Sequence, residues 1–247
     1  VLREPNSRGG SSYIHDNIKA GDAVRTRGPR NHFPLVDAPS YVFIGGGIGV
    51  TPMVPMLGEV IFDKHVPWTF YYGGRNRASM AFRDRLEALG VVIWPEEEKG
   101  LLPLDEILRA AAPDAAVYCC GPEPLIAAVE AKCAELGRAA PHVERFAAKA
   151  VDTTGDPGDH EFTVVLNSSG QEFTVPRDKS IVEVLLDNNV RVMTSCAEGV
   201  CGTCETKVIS GEIVHRDSLL SEEDRAEGVY MMPCVSRCAG ERLVLDM

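Results

Sequence analysis

The sequence has no cysteine before Cys119, yet five of its 8 cysteines fall between Cys196 and Cys238. Eight in 247 residues are too few for a disulfide-stapled secreted scaffold. Their crowding points instead to metal chemistry in a reducing compartment. A basic excess is also missing. There are 25 Lys and Arg against 36 Asp and Glu, a net charge of −11, which argues against a nucleic-acid partner. The opening residues Val1-Leu2-Arg3-Glu4-Pro5-Asn6 lack the basic-then-apolar profile of a signal peptide. An unbroken apolar span is absent as well. Residues 38–58 are free of charge and long enough to cross a bilayer, but Gly45-Gly46-Gly47 and three prolines interrupt them. The expectation is a cytoplasmic protein with no membrane partner. No internal repeat or low-complexity tract is present.

What remains is ordinary globular composition, 45% hydrophobic and 25% charged, with length for one or two domains. Residues 41–146 alternate β-rich runs (41–45, 68–72, 91–94, 116–120, 142–146) with helical spacing (52–62, 79–89, 104–111, 123–136). Such alternation predicts parallel βαβ units in an α/β doubly wound sheet. Residues 147–160 are polar, small and rich in Gly and Pro, so they read as a linker. From residue 161 the pattern changes to two strands (162–166, 171–175), one helix (181–187) and the cysteine loop. Residues 1–37 read as turns and short strands. Charge divides unevenly: 17 basic and 21 acidic groups before residue 161, 8 and 15 after it.

Cys196, Cys201, Cys204 and Cys234 stand in the order C-x4-C-x2-C-x29-C. This is the plant-type [2Fe–2S] spacing, in which one tight loop supplies three thiolates and a later segment the fourth. Gly199 and Gly202 suit a loop whose amides turn toward the sulfurs. A zinc site is the alternative, although C-x2-C pairs are more usual there. Cys238 is a rival fourth ligand; the spacing favours Cys234 and leaves Cys238 a bystander thiol open to oxidation. Cys133 reads as a core residue, and His215-Arg216-Asp217 as a surface turn.

Gly45-Gly46-Gly47-Ile48-Gly49-Val50-Thr51-Pro52 follows a strand and opens a helix. Gly46, Gly47 and Gly49 would let the backbone approach a pyrophosphate, Thr51 could cap, and Pro52 suits a first helical turn. The spacing is not G-x-G-x-x-G, and a merely tight turn would carry the same glycines. Cys120-Gly121-Pro122 ends a later strand, at the sheet edge where open α/β folds bind ligands. Arg75 and Arg77 follow the second strand, where either could grip a 2′-phosphate and favour NADPH.

These motifs together resemble the phthalate dioxygenase reductase family, the one-chain reductases of Rieske oxygenases and O-demethylases within the ferredoxin-NADP reductase superfamily. The resemblance runs through Ser195 to Cys204, His215-Arg216-Asp217, Pro233 to Arg237 and the final residues 243–247. It implies a nucleotide domain at 38–146 and an α+β β-grasp plant-type ferredoxin domain at 161–247. It implies that Cys120, with Gly121 and Pro122, lies beside the nicotinamide, shaping the site and not attacking it. Glu144 and Phe146 would lie near flavin and nicotinamide. It favours NADH, although no acidic residue follows the second strand to bind a free 2′-hydroxyl. It makes residues 1–37 the end of an FMN-binding β-barrel, with Gly9, Gly10 and Ser11 on the flavin phosphate and Gly28-Pro29-Arg30 in the last turn. The family's upstream Arg-x-Tyr-Ser/Thr flavin motif is absent.

The expected function is electron transfer from NAD(P)H through FMN and a [2Fe–2S] cluster to a partner oxygenase or demethylase. The acidic ferredoxin half would dock on a more basic face. The alternative is a nucleotide-binding electron carrier without NADH oxidase activity.

Overall fold

The computed structural model describes residues 9–26, 31–148 and 155–247. Leu2 to Arg8, Gly28-Pro29-Arg30 and residues 149–154 of the expected linker lie outside them. Two compact units emerge, residues 1–31 and 32–247.

In the first unit the described residues form one helix, α1 (Gly10–Asn17), and no strand. This corrects the expectation of short strands there. A strand needs a neighbour to pair its backbone groups, whereas a helix pairs them within itself. Gly9 precedes α1 at φ 107, and no acidic side chain stands in the first turn.

The second unit opens on an extended segment bound to the first sheet. Phe33 is buried, and the Tyr118 hydroxyl donates to Pro34 O (3.0 Å) while accepting from Val36 N–H (2.7 Å). The Tyr41 hydroxyl donates to Val36 O (2.7 Å). Then come β1 (Tyr41–Gly46), a 3₁₀ turn (Gly47–Val50), α2 (Met53–Glu59) with a π-turn extension (Val60–Lys64), β2 (Trp68–Gly74), α3 (Arg83–Ala88), β3 (Val92–Pro95), α4 (Glu96–Lys99), α5 (Leu104–Ala110), β4 (Ala116–Cys120), α6 (Glu123–Glu135) and β5 (His142–Glu144). The strands lie in the order β3-β2-β1-β4-β5, all parallel, as the alternating pattern predicts. Every residue of β1 is buried, as a central strand covered on both faces requires. Alternation along β4 sends Tyr118 and Cys120 into one core layer, and Val117 and Cys119 into the other.

The remaining elements are β6 (Phe162–Leu166), β7 (Glu172–Val175), α7 (Ile181–Asp187), β8 (Thr206–Ser210), β9 (Ile213–Val214), α8 (Glu222–Glu227), β10 (Tyr230–Met231), β11 (Arg237–Cys238) and β12 (Arg242–Leu245). A five-stranded mixed sheet, β10-β8-β12-β6-β7, packs on α7 in the β-grasp manner. Ser180 and Glu183 form a capping box that starts α7 where its apolar face begins. Arg237 is buried and donates to the carbonyls of Gly158, His160, Pro176 and Lys179 at 2.6–3.0 Å, tying the end of the linker to the ferredoxin half. Asp156 adds an ion pair to Arg216 at 2.9 Å. Among the described residues no helix is long and apolar enough to cross a membrane.

Candidate functional site

The glycine-rich turn and the strand-end motif of the first sheet meet. A Cβ at Gly49 would lie 2.2 Å from Cys120 O and 2.6 Å from Gly121 N, and one at Gly46 would lie 2.9 Å from Pro122 Cδ. Glycine here permits contact between two loops, a role in addition to the one expected. Gly47 adopts φ 55 and faces open space, so it is the glycine a ligand could approach. Thr51 does not cap the helix. Its hydroxyl donates back to Ile48 O (2.8 Å), and Pro52 precedes α2 at its N-cap, because a 3₁₀ turn already fills the expected helix start.

Cys120 is fully buried, and burial, with the Glu144 charge nearby, pushes its thiol up. Burial of this kind disfavours the thiolate, the nucleophilic form of a cysteine. Cys119, in the opposite layer, is pushed up by burial to about 12. Glu144 is half-buried at the end of β5, and burial raises its carboxyl. Phe146, two residues on, is exposed.

At the end of β2 the two arginines differ. Arg77 Nε pairs with Glu98 (3.0 Å), and its guanidinium lies 3.8 Å from Glu87. Arg75 is exposed, and its carbonyl accepts from Glu97 N–H (3.1 Å). Asn76 Nδ2 donates to Glu97 Oε1 (3.2 Å). Sequence reading finds no acidic group following β2. The parallel register, which sets Gly74 against Pro95, carries Glu97 and Glu98 there from the neighbouring strand. Their spacing along the chain conceals this; the β2–β3 pairing is the signal. A cleft of about 270 Å³ opens beside them, lined by Arg77, Met80, Phe82 and Arg83.

The cluster cysteines come together as two pairs. Cys201 sits beside Cys196. Burial opposes ionisation of its thiol, but the Thr203 hydroxyl 3.2 Å away, with backbone and Cys196 hydrogen bonds, holds it below its ordinary value. Cys204 sits beside Cys234, whose hydrogen bond lowers Cys204 to about 7 while Cys234 is pushed up. Four thiols brought together in two pairs are the donor set that would hold a [2Fe–2S] cluster. Among the described residues no group of three or more His, Cys, Asp or Glu converges as a single ion would need. Amides turn toward the sulfurs: Glu198 N–H to Cys196 Sγ (3.3 Å) and Thr203 N–H to Cys201 Sγ (3.4 Å). The backbone of Gly199 hydrogen-bonds to Cys234. The loop that does this needs the left-handed backbone at Gly199 (φ 69) and Gly202 (φ 66). Donor set and amide cradle both fit a [2Fe–2S] cluster.

Two expectations change here. Cys238 is fully buried in the β-grasp core, 3.5 Å from Arg242 O, and burial raises its thiol, so it is shielded from oxidation. His215-Arg216-Asp217 is not a solvated turn. The Asp217 side chain is wholly buried and accepts from Leu219 N–H (3.0 Å) and Leu220 N–H (2.8 Å). A Cβ at Gly199 would lie 2.9 Å from Asp217 Cα, so this turn backs the cysteine loop.

Family models match both halves: an oxidoreductase NAD-binding domain at residues 43–92, and a 2Fe-2S iron-sulfur cluster binding domain at 164–239. The chain is 42% identical to the carnitine monooxygenase reductase subunit of Escherichia coli (strain K12), covering all of this chain and 77% of that one. It superimposes on the solved phthalate dioxygenase reductase with a TM-score of 0.65 at 36% identity, over all of this chain and 78% of the other. An intact type IV self-sufficient cytochrome P450 monooxygenase gives a TM-score of 0.87 at 39% identity; this chain covers 32% of it. The sheet of β1–β5 and the paired cysteines account for the two family matches, and the chain belongs to the phthalate dioxygenase reductase family of NAD(P)H-dependent oxidoreductases.

Proposed function

We propose that this chain takes hydride from NADH and delivers electrons one at a time, through FMN and a [2Fe–2S] cluster, to an oxygenase or O-demethylase partner of the Rieske type. The observation that carries the reading is the joining of two unlike sites in one chain. One is a glycine-turn edge built for a dinucleotide; the other is two pairs of thiols in an amide-lined loop. When bound, the flavin accepts a hydride and releases electrons singly, and the cluster carries one at a time.

The chain's own residues bind, orient and tune. Gly46, Gly47 and Gly49, with Thr51 and Pro52, would receive the pyrophosphate on the loop that packs on Gly121 and Pro122. Cys120 would bound the nicotinamide pocket without reacting, with Glu144 and Phe146 at the adjacent strand end. Gly9, Gly10 and Ser11, at the start of α1, would hold the flavin phosphate, since a helix N-terminus favours an anion and no acidic side chain stands in that first turn. Cys196, Cys201, Cys204 and Cys234 would hold the cluster, and amide donors to their sulfurs raise its potential. Domain limits of 38–146 and 161–247 fit the two sheets.

NADH is the preferred donor in this reading. Arg77 is held by Glu98 and Glu87, and Glu97 and Glu98 set negative charge where a 2′-phosphate would sit. Arg75 remains as a positive group at the edge. The partner docks on the ferredoxin half through complementary charge, because residues 161–247 carry 8 basic and 15 acidic groups. Stopped-flow mixing tests the whole reading. NADH should bleach flavin, then cluster, then partner, with a final rate that falls as salt rises. A reductase that binds iron and flavin but leaves its cluster oxidised under NADH would refute it.

A further inference from the structure

The segment that enters the first sheet also touches the cysteine loop. A Cβ at Gly202 would lie 2.4 Å from His32 Nε2, 3.0 Å from Cε1 and 3.1 Å from Cδ2. The imidazole edge therefore rests on the backbone of Gly202, between Cys201 and Cys204. Gly202 is buried and adopts φ 66, so no other residue fits there without strain. The next residue points the other way. Phe33 is buried in the nucleotide core with its ring 5.4 Å from that of Tyr118, and the Tyr118 hydroxyl holds Pro34 and Val36. Tyr118 lies on β4, two residues before Cys120. A single strap thus runs from the nicotinamide strand to the loop that supplies three cluster thiolates.

We propose that His32 is a positioning residue that seats the cysteine loop against the nucleotide half and so sets the rate at which electrons enter the cluster. The inference rests on the reductase reading above. In that reading NADH would give the bound flavin a hydride, which is two electrons and one proton; the cluster would take the electrons one at a time, handing the first to the partner before accepting the second, and the proton would pass to solvent. His32 takes no electron or proton in this sequence. It fixes the loop, and electron transfer depends steeply on how the two ends are held. Phe33 anchors it on one side, and the absence of a side chain at Gly202 lets it seat on the other. Gly202→Ala would strain the loop itself, so the histidine is the informative position.

The test compares the FMN- and cluster-loaded reductase with His32→Ala and His32→Phe. Anaerobic stopped-flow separates flavin bleaching from cluster bleaching, and amide hydrogen exchange reports on residues 202–204. His32→Ala should slow cluster reduction about tenfold or more, since small misplacements carry large rate penalties. Flavin reduction by NADH and the EPR spectrum of the reduced cluster should not change, and the amides of Gly202 and Thr203 should exchange faster. His32→Phe, which can rest a ring on Gly202, should recover most of the rate. Unchanged cluster reduction and exchange in His32→Ala would overturn the proposal, as would an equal slowing of flavin reduction. A parent protein that binds no iron, or whose cluster NADH cannot reduce, would instead sink the reductase reading.

Discussion

The two halves of this chain build their sites by opposite means. The nucleotide edge is made of backbone: Gly46 and Gly49 sit so close to Cys120, Gly121 and Pro122 that side chains have no room. Its cysteines are structural, buried among apolar residues, with thiols pushed up by desolvation. The cluster loop is made of side chains in irregular backbone, and there the same residue type is drawn the other way. Cys201 and Cys204 are lowered by neighbouring donors. Cysteine chemistry thus follows its surroundings, not its identity. A dinucleotide that comes and goes meets a preformed edge. A resident cluster can rely on a loop that its own ligand bonds complete.

The sharpest way to break this comparison is at the thiols. Cys204→Ser or Cys234→Ser should abolish the cluster, with iron content and red-brown absorption falling to near zero. Cys238→Ser, in the apolar core, should leave both intact. Iron retained in the first pair, or lost in the third, would erase the distinction between ligand and core cysteines.

Next in size is Arg237→Met. It would strand four carbonyls now satisfied by one buried cation, at a cost of about 3–5 kcal/mol to the ferredoxin half. Denaturant unfolding should show the cluster absorption lost at a lower midpoint while the nucleotide half holds. Equal midpoints for parent and variant would contradict the clamp.

Gly49→Ala tests the backbone-built edge. Its methyl would meet Cys120 O, and the backbone must shift, costing roughly 1–3 kcal/mol. NADH should bind more weakly, measured by titration, with iron content unchanged. The smallest effect is expected from Glu98→Ala. Arg77 and Glu98 are both partly exposed to solvent, so their pair is worth less than about 1 kcal/mol. Freeing Arg77 should raise kcat/KM for NADPH relative to NADH a fewfold, and no change would remove the glutamates from coenzyme selection.

Much of this was legible before any coordinates, and the reasons are local. Strands and helices of the parallel sheet follow from periodicity and from Gly and Pro at their ends, and α7 falls at residues 181–187 as read. The cysteine spacing reflects one loop's reach, so a linear pattern conveys it. What was not legible depends on neighbours distant in sequence. Glu97 and Glu98 reach the end of β2 only through pairing in the sheet. His215-Arg216-Asp217 looks like a polar turn until Gly199 packs on it. Cys238 sits four residues from Cys234, yet strand β11 turns it into the core. The helix α1 replaced expected strands because no described segment pairs with it.

The central claim is that one chain converts a two-electron donor into a one-electron carrier held by Cys196, Cys201, Cys204 and Cys234. The most direct test is an anaerobic NADH titration of the FMN-loaded reductase, followed by low-temperature EPR. A reduced-cluster signal should grow with added NADH and be absent from Cys204→Ser. An iron-loaded protein whose cluster stays oxidised at excess NADH would contradict it.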